Sequence, residues 1–299
     1  MDRLNIISWN VRGLGGKNCR KVRSIFRRQF RKSLVGRIDV LLIQEHHLNE
    51  QRIQKYVNLM PGKWSQFWVP AVGDNCLKVG LCIALNDTWL GSFLHYGVLT
   101  CGRGQYVIFQ IGLKKWGLMN IYAPNYARDR AILWKNILSQ VPSVDHWAIV
   151  GDFNILEDVS DRLGGIPHTI SGSELYEWEH LIFSLGLMDL WQVSSFVKMQ
   201  DSLAYSRSDR RESNTNLSRL DRFYADNFLW DKGGFIGILP SFSFSDHAPL
   251  RLAIILQDQS KTSRFRIPNH VVLNQDWASN LYNLWNKYDY SYDFALSSV

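Results

Sequence analysis

Ala148-Ile149-Val150-Gly151-Asp152-Phe153-Asn154 is the stretch that decides the architecture. Three apolar residues run without a break into a glycine, an acid and an amide. A short continuous apolar run of this kind is a strand covered on both faces, and the polar residues that end it mark the rim of the buried layer. The design recurs along the chain. Residues 4–9 run into Asn10, 40–43 into Gln44-Glu45, and 117–121 into Tyr122, while 219–224 alternate around Asp221. Strand-rich meanders occupy 65–85 and 93–111. Helical spacing of apolar residues is confined to 17–34, 128–140 and 173–184, the last with Ser171 and Glu174 at capping-box spacing around its start. The polar run 207–218 (RSDRRESNTNLS) reads as an exposed loop. Many short strands with few helices exclude a strict βαβ repeat. The expected class is α/β, with two mixed β-sheets packed on each other and helices outside.

The chain has 299 residues, of which 46% are hydrophobic and 13% aromatic, so it carries ample material for a core and is not a disordered segment. Its four cysteines form no C-x-x-C pair, which argues against a structural zinc site or a disulfide scaffold. The N-terminus does not read as a signal peptide, and no apolar run reaches the roughly 18 residues of a membrane span. The expectation is an intracellular protein without a membrane partner. Composition changes after Gln257, where a polar stretch leads into an aromatic-rich tail. This places a domain boundary there, giving 1–257 and 258–299.

The net charge of +7 is unevenly spread. Residues 11–38 hold ten Lys or Arg and no acid, from Arg12 to Arg37, which leaves −3 for the remainder. The apolar residues Val22, Ile25, Phe26, Phe30 and Leu34 give this segment the pattern of an amphipathic helix with a basic outer face. A solvated surface helix is the plain explanation. Ten like charges without a compensating acid point beyond it, to a polyanion such as nucleic acid.

Four acids stand at the ends or in the middle of strand-like runs: Glu45, Asp152, Asp221 and Asp246. Each has a polar companion: Gln44, Asn154, Arg219 with Arg222, and His247 respectively. Hard oxygen donors of this type suit Mg²⁺, which takes few protein carboxylates and keeps water for a phosphate substrate. Spacing alone would leave His247 a satisfied or surface histidine.

Six motifs together resemble the endonuclease/exonuclease/phosphatase family, the metal-dependent phosphodiesterases of DNase I-like fold. They are Ser8-Trp9-Asn10-Val11-Arg12-Gly13-Leu14, Leu42-Ile43-Gln44-Glu45, Asn120-Ile121-Tyr122-Ala123-Pro124-Asn125, Gly151-Asp152-Phe153-Asn154, Ser218-Arg219-Leu220-Asp221-Arg222 and Ser245-Asp246-His247. They occur in the family's order over residues 4–256. Within the family, W-N-V-R-G-L-G, GDFNILEDVSDRLGG over 151–165 and the S-D-H-A-P-L ending are similar to endonuclease domains of LINE-type non-LTR retrotransposons, particularly plant ones. The tail resembles the start of the linker to a reverse transcriptase, a domain that does not follow here.

The resemblance implies a four-layered sandwich with its site at one edge. It implies Glu45 as the main Mg²⁺ ligand (Mn²⁺ as a substitute), with Asn10 beside it and Asp246 completing the metal or water shell. Asp152 would position or deprotonate the attacking water, Asn154 would hold it, and His247, oriented by Asp221, would contact the scissile phosphate. Tyr122 would assist at the phosphate or leaving oxygen, and Asn125, Arg12 and Arg128 would bind substrate. Two positions depart from the pattern. Arg12 stands where several repair-type relatives carry an acid, and Leu203-Ala204-Tyr205 stands where relatives often show a Thr-Trp pair. The implied activity is Mg²⁺-dependent nicking of double-stranded DNA to leave a 3′-hydroxyl, in the nucleus. The alternatives are a small-molecule phosphoesterase acting on an inositol or sphingolipid phosphate, or a nucleic-acid-binding remnant without catalysis.

Overall fold

The computed structural model describes residues 3–14, 38–54, 57, 64–71, 79–99, 102–199, 202–211, 214–240 and 245–255. The basic helix expected over 17–34 and the tail 258–299 lie outside the described residues.

Two large sheets face each other. The seven-stranded sheet runs, edge to edge, Phe196–Lys198, Gly234–Ile238, Leu250–Ile255, Arg3–Asn10, Val40–Gln44, Leu81–Asn86 and Trp64–Val69. The six-stranded sheet runs Met188–Asp189, Asp221–Ala225, His146–Asp152, Lys114–Tyr122, Gly104–Ile111 and Phe93–Val98. Both are mixed: Arg3–Asn10 lies parallel to Val40–Gln44 and antiparallel to Leu250–Ile255, and Lys114–Tyr122 lies parallel to His146–Asp152. The helices Ala127–Gln140 and Gly172–Ser184 cover the outer face of the six-stranded sheet, where Trp134, Ile137, Trp178 and Leu181 pack on Met119, Ile121 and Ile149.

Strand periodicity explains both the core and the site. Side chains alternate between faces, so every second residue points into the gap between the sheets. Those inward positions begin apolar: Leu4 and Ile6, Val40 and Leu42, Trp116 and Leu118, Ala148 and Val150, and Phe223. Following each strand towards one end of the sandwich, the same face turns polar at Ser8 and Asn10, Gln44, Asn120 and Tyr122, Asp152, and Asp221. All but Tyr122 are at most 1% exposed. Groups so deeply buried must bond one another. Gln44 Nε2 donates to Ser8 Oγ (2.9 Å) and Asn120 Oδ1 (2.6 Å), and Asn120 Nδ2 donates to the carbonyls of Ile43 and Cys82 (both 3.1 Å). This layer separates the apolar core from the acids above it.

Two expectations are corrected. Residues 207–218 are not a loop but a hairpin of Arg207–Arg211 with Asn214–Ser218, extended by Arg162–Leu163 into a three-stranded sheet. Its polar sequence hides it, because its order comes from backbone pairing rather than from burial of an apolar face. Ser171 occupies the N-cap of Gly172–Ser184, but its side chain makes no capping bond. Glu174 is buried and instead pairs with Arg130 on the neighbouring helix, through the Nε and Nη2 donors.

Candidate active site

Strand register brings the acids together. Asp221 lies directly opposite Asp152, and Asp152 is level with Tyr122 on the next strand. Asn10 is level with Gln44 across the facing sheet, one residue before Glu45. Residues more than 200 positions apart thus form one row at the open end of the sandwich.

Asn10 ties the row together. Its Nδ2 donates to Glu45 Oε1 (2.8 Å) and Asp152 Oδ2 (2.9 Å), and its Oδ1 accepts from the Arg12 N–H (3.0 Å). Asp152 Oδ1 accepts from the Asn154 N–H (3.1 Å), whose own Nδ2 donates to the Ala123 carbonyl (2.8 Å). His247 Nδ1 lies 2.8 Å from Asp221 Oδ2, and its Nε2 lies 3.8 Å from Asp152 Oδ2. His247 also receives backbone support, because Trp9 Nε1 donates to its carbonyl (3.1 Å) and its N–H donates to Ser245 Oγ (3.1 Å). Ser245 in turn donates to the Asn10 carbonyl (2.8 Å), which fixes the His247 segment to the end of the strand Arg3–Asn10.

Left-handed backbone gathers here. Arg12, Glu45, His47 and Asn154 all have φ between 46° and 56°, and no other described non-glycine residue has positive φ. Each such residue costs about 1–3 kcal/mol, a cost that the surrounding bonds must offset. Gly151 is required for another reason. With φ 141°, a Cβ there would meet the Ile121 carbonyl oxygen at 2.0 Å, so glycine lets the acid-bearing strand approach its neighbour.

The electrostatics follow from burial and pairing. Burial pushes the Glu45 carboxyl up, but hydrogen bonds from His47, Asn10 and Tyr122, with the field of His247, outweigh it and bring it down to about 2. Burial drives Asp152 upward, only partly offset by His247, while Asp221 and Glu45 push it further up. Burial disfavours the His247 imidazolium, yet Asp221, Asp152 and Asp246 together hold its value at about 9. Tyr122 is pushed up by burial and by Glu45, so its hydroxyl is a proton donor, not an anion.

Asp152, Asp221 and His247 place ligand atoms within 4.8 Å of one another. A histidine kept as imidazolium by two carboxylates is no metal ligand, so the donors for a cation are oxygen atoms: Glu45, Asn10 and Asp152. Three carboxylates (Glu45, Asp152, Asp221) face one imidazolium, and the upward push on Asp152 is what excess buried negative charge produces. The donor set fits a hard divalent cation.

The remaining expected residues are placed differently. Asp246, which adds to the field on His247, is engaged by arginines: its Oδ2 meets Arg12 Nη1 (2.8 Å) and Arg207 Nε (3.2 Å). Asn125 and Arg128 are exposed beside the start of the helix Ala127–Gln140. Arg219 and Arg222, taken as companions of Asp221, turn away from it. Buried Arg222 pairs with Glu157, Asp161 and Asp189, and Arg219 with Asp161 and Asp189. This network braces the strand start that carries Asp221 against the segment following Asn154.

Sequence reasoning missed three supports. Buried Ser206 accepts from the N–H groups of Leu220 and Asp221 (both 3.0 Å). His47 Nε2 lies 3.1 Å from Glu45 Oε2. His46 Nε2 bonds the carbonyls of Val69 (3.0 Å) and Leu81 (3.2 Å), while its Nδ1 accepts from the Leu48 N–H (3.0 Å). Only the His46-His47 pair directly after Glu45 offered a signal.

The profile of the Endonuclease/Exonuclease/phosphatase family matches residues 7–247. The "Transposon TX1 uncharacterized 149 kDa protein" of Xenopus laevis is 24% identical over 259 residues, covering 84% of this chain and 18% of its own length. The chain therefore spans less than a fifth of that relative. Among solved structures, the AP endonuclease LMAP from Leishmania major superposes with a TM-score of 0.66 at 18% identity, covering 85% of this chain and 88% of that one. The endonuclease domain of TRAS1, a telomere-specific non-LTR retrotransposon, gives 0.54 at 16% identity, over 86% and 100%. The 3′ phosphatase NExo from Neisseria, bound to product DNA hairpin, gives 0.58 at 18% identity, over 83% and 98%.

Proposed function

The chain belongs to the endonuclease/exonuclease/phosphatase family, and from that premise we propose that it is a Mg²⁺-dependent endonuclease that nicks double-stranded DNA and leaves a 3′-hydroxyl. The observation that carries the reading is the row of Glu45, Asn10 and Asp152, joined by hydrogen bonds across two sheets, with His247 Nε2 3.8 Å from Asp152 Oδ2. Hydrolysis of a phosphodiester needs an aimed water, a base to take its proton and positive charge at the oxygens where negative charge grows. Asp152, pushed upward by burial, accepts the proton of a water that Asn154 helps to hold. His247, as imidazolium, donates to a non-bridging phosphate oxygen, and Asp221 fixes which ring nitrogen faces the substrate. Tyr122 offers its proton beside Glu45. A divalent cation bound at Glu45 and Asn10 supplies charge stabilisation for the phosphate and the leaving oxygen.

DNA is the favoured substrate because of the ten-base segment over 11–38 and the transposon-encoded relative. Phosphate contacts from that segment and from Arg128 give binding that weakens steeply with salt. In a longer parent protein the product 3′-end would prime a reverse transcriptase, and such work is done in the nucleus. The test is relaxation of supercoiled plasmid with Mg²⁺, followed by extension of the nicked product with a DNA polymerase. Extension without prior end-processing supports a 3′-hydroxyl. Nicking without extension refutes that product, and plasmid left intact refutes the nuclease.

A further inference from the structure

We infer that Asp246 is an anchor for two arginines rather than a metal ligand, and that the site accordingly takes a single divalent cation, on the Glu45–Asn10 side. This rests on the metal-dependent reading above and goes beyond it.

Both guanidiniums are brought to Asp246 by backbone that is itself bonded to the site. Arg12 is held in the left-handed conformation (φ 46°), with its N–H on Asn10 Oδ1 and the next N–H, of Gly13, on the Glu45 carbonyl (2.7 Å). Arg207 begins the hairpin, forms a bridge with His247, and is followed by Ser208, whose N–H donates to the Asp246 carbonyl (2.9 Å). The two arginines share one oxygen of Asp246, at 2.8 Å and 3.2 Å. Around Asp246 two positive charges therefore face one negative charge, and a dication approaching it meets like charge at contact range. On the other side no guanidinium reaches the carboxylates: Glu45 meets the Asn10 amide and the His47 ring (3.1 Å), and Asp152 meets the Asn10 amide, with His247 Nε2 3.8 Å away.

Arg12 thus supplies positive charge beside Asp246 from the chain itself. Its side chain is 59% exposed, so part of the guanidinium faces solvent at the mouth, where a substrate phosphate meets it. Asp246 is a positioning residue: it aims Arg12 and Arg207, and its loss frees them.

The experiment is Mn²⁺ binding to the full chain without DNA, followed by the resonance of free Mn²⁺ and by calorimetry. The wild type is expected to bind one ion. Glu45→Gln lowers affinity at least about tenfold, whereas Asp246→Asn leaves it within about twofold, where loss of even an indirect ligand support costs about 10–100-fold. Arg12→Ala, which uncovers Asp246, tightens binding or adds a second ion. In nicking assays Asp246→Asn raises KM for DNA while the Mg²⁺ activation midpoint stays put. Two ions in the wild type, a tenfold loss in Asp246→Asn, or no change in Arg12→Ala overturns the inference. No Mn²⁺ binding at all refutes the metal-dependent reading itself, and is recognised because Glu45→Gln then changes nothing.

Discussion

His247 Nδ1 lies 2.8 Å from Asp221 Oδ2, with both side chains almost wholly buried. The carboxylate fixes the ring nitrogen that faces outward and, with Asp152 and Asp246, holds the imidazolium against the cost of burial up to about 9. Its value exceeds that of an unfolded histidine, 6.5, so this pairing adds stability that is fully present below 6.5 and lost as the pH rises through about 9. Asp221→Asn is expected to lower the His247 titration by at least about one unit and to slow nicking by about 10²–10⁴. Imidazole resonances followed against pH in metal-free protein, beside single-turnover nicking, test both. An unchanged titration would remove Asp221 from its role.

His46 behaves oppositely. Burial, helped by the neighbouring His47, lowers its value to about 4, against 6.5 unfolded, and outweighs the carbonyls of Val69 and Leu81, which favour the protonated ring. Below pH 6.5 the unfolded chain takes up this proton first. Stability is therefore full above 6.5 and falls as the pH drops towards 4, by about 3 kcal/mol in all. Urea unfolding from pH 8 to 4.5 in wild type and His46→Gln should show a steeper acid loss in the wild type. Equal slopes would contradict it.

Arg222 is fully buried among Glu157, Asp161 and Asp189. Arg222→Ala leaves Asp161 and Asp189 with Arg219 and takes the guanidinium from Glu157, and should cost about 3–5 kcal/mol. Thermal melting gives the value. A loss below about 1 kcal/mol, in the range of an exposed pair, would mean that water replaces the guanidinium without penalty.

Gly151→Ala pits a methyl group against the Ile121 carbonyl at 2.0 Å, in a backbone conformation that L-residues avoid. We expect a protein that is destabilised by more than about 3 kcal/mol, or that fails to accumulate folded. A folded, active Gly151→Ala would mean that the strand can separate from its neighbour.

Much of this was legible in the chain. Each apolar run that ended in a polar residue proved to be a strand whose inward face changes character at that point, and so the run's end also located the site. Asn10, Glu45 and Asp152 stand at or just past such ends, whereas Asp221 opens its strand, Asp221–Ala225. What the pattern hid lies in partners far apart in sequence. Ser206 beneath Asp221, and Arg219 and Arg222 turned towards Asp161 and Asp189, depend on strand register that no local period encodes. The hairpin 207–218 was missed because pairing of polar backbone leaves no hydrophobic signature. Asp246 carried an acid's expected role, yet the side chain opposite it is Arg12, and only the fold shows the two in contact.

The most direct measurement is nicking of supercoiled plasmid by the full chain with Mg²⁺, with EDTA, and by Glu45→Ala. The expected result is nicking that requires Mg²⁺, stops with EDTA and falls by about a hundredfold or more in the variant, as loss of several kcal/mol of charge stabilisation requires. Nicking that persists undiminished in Glu45→Ala or in EDTA, or a folded wild type that binds plasmid and leaves it intact, would contradict the account.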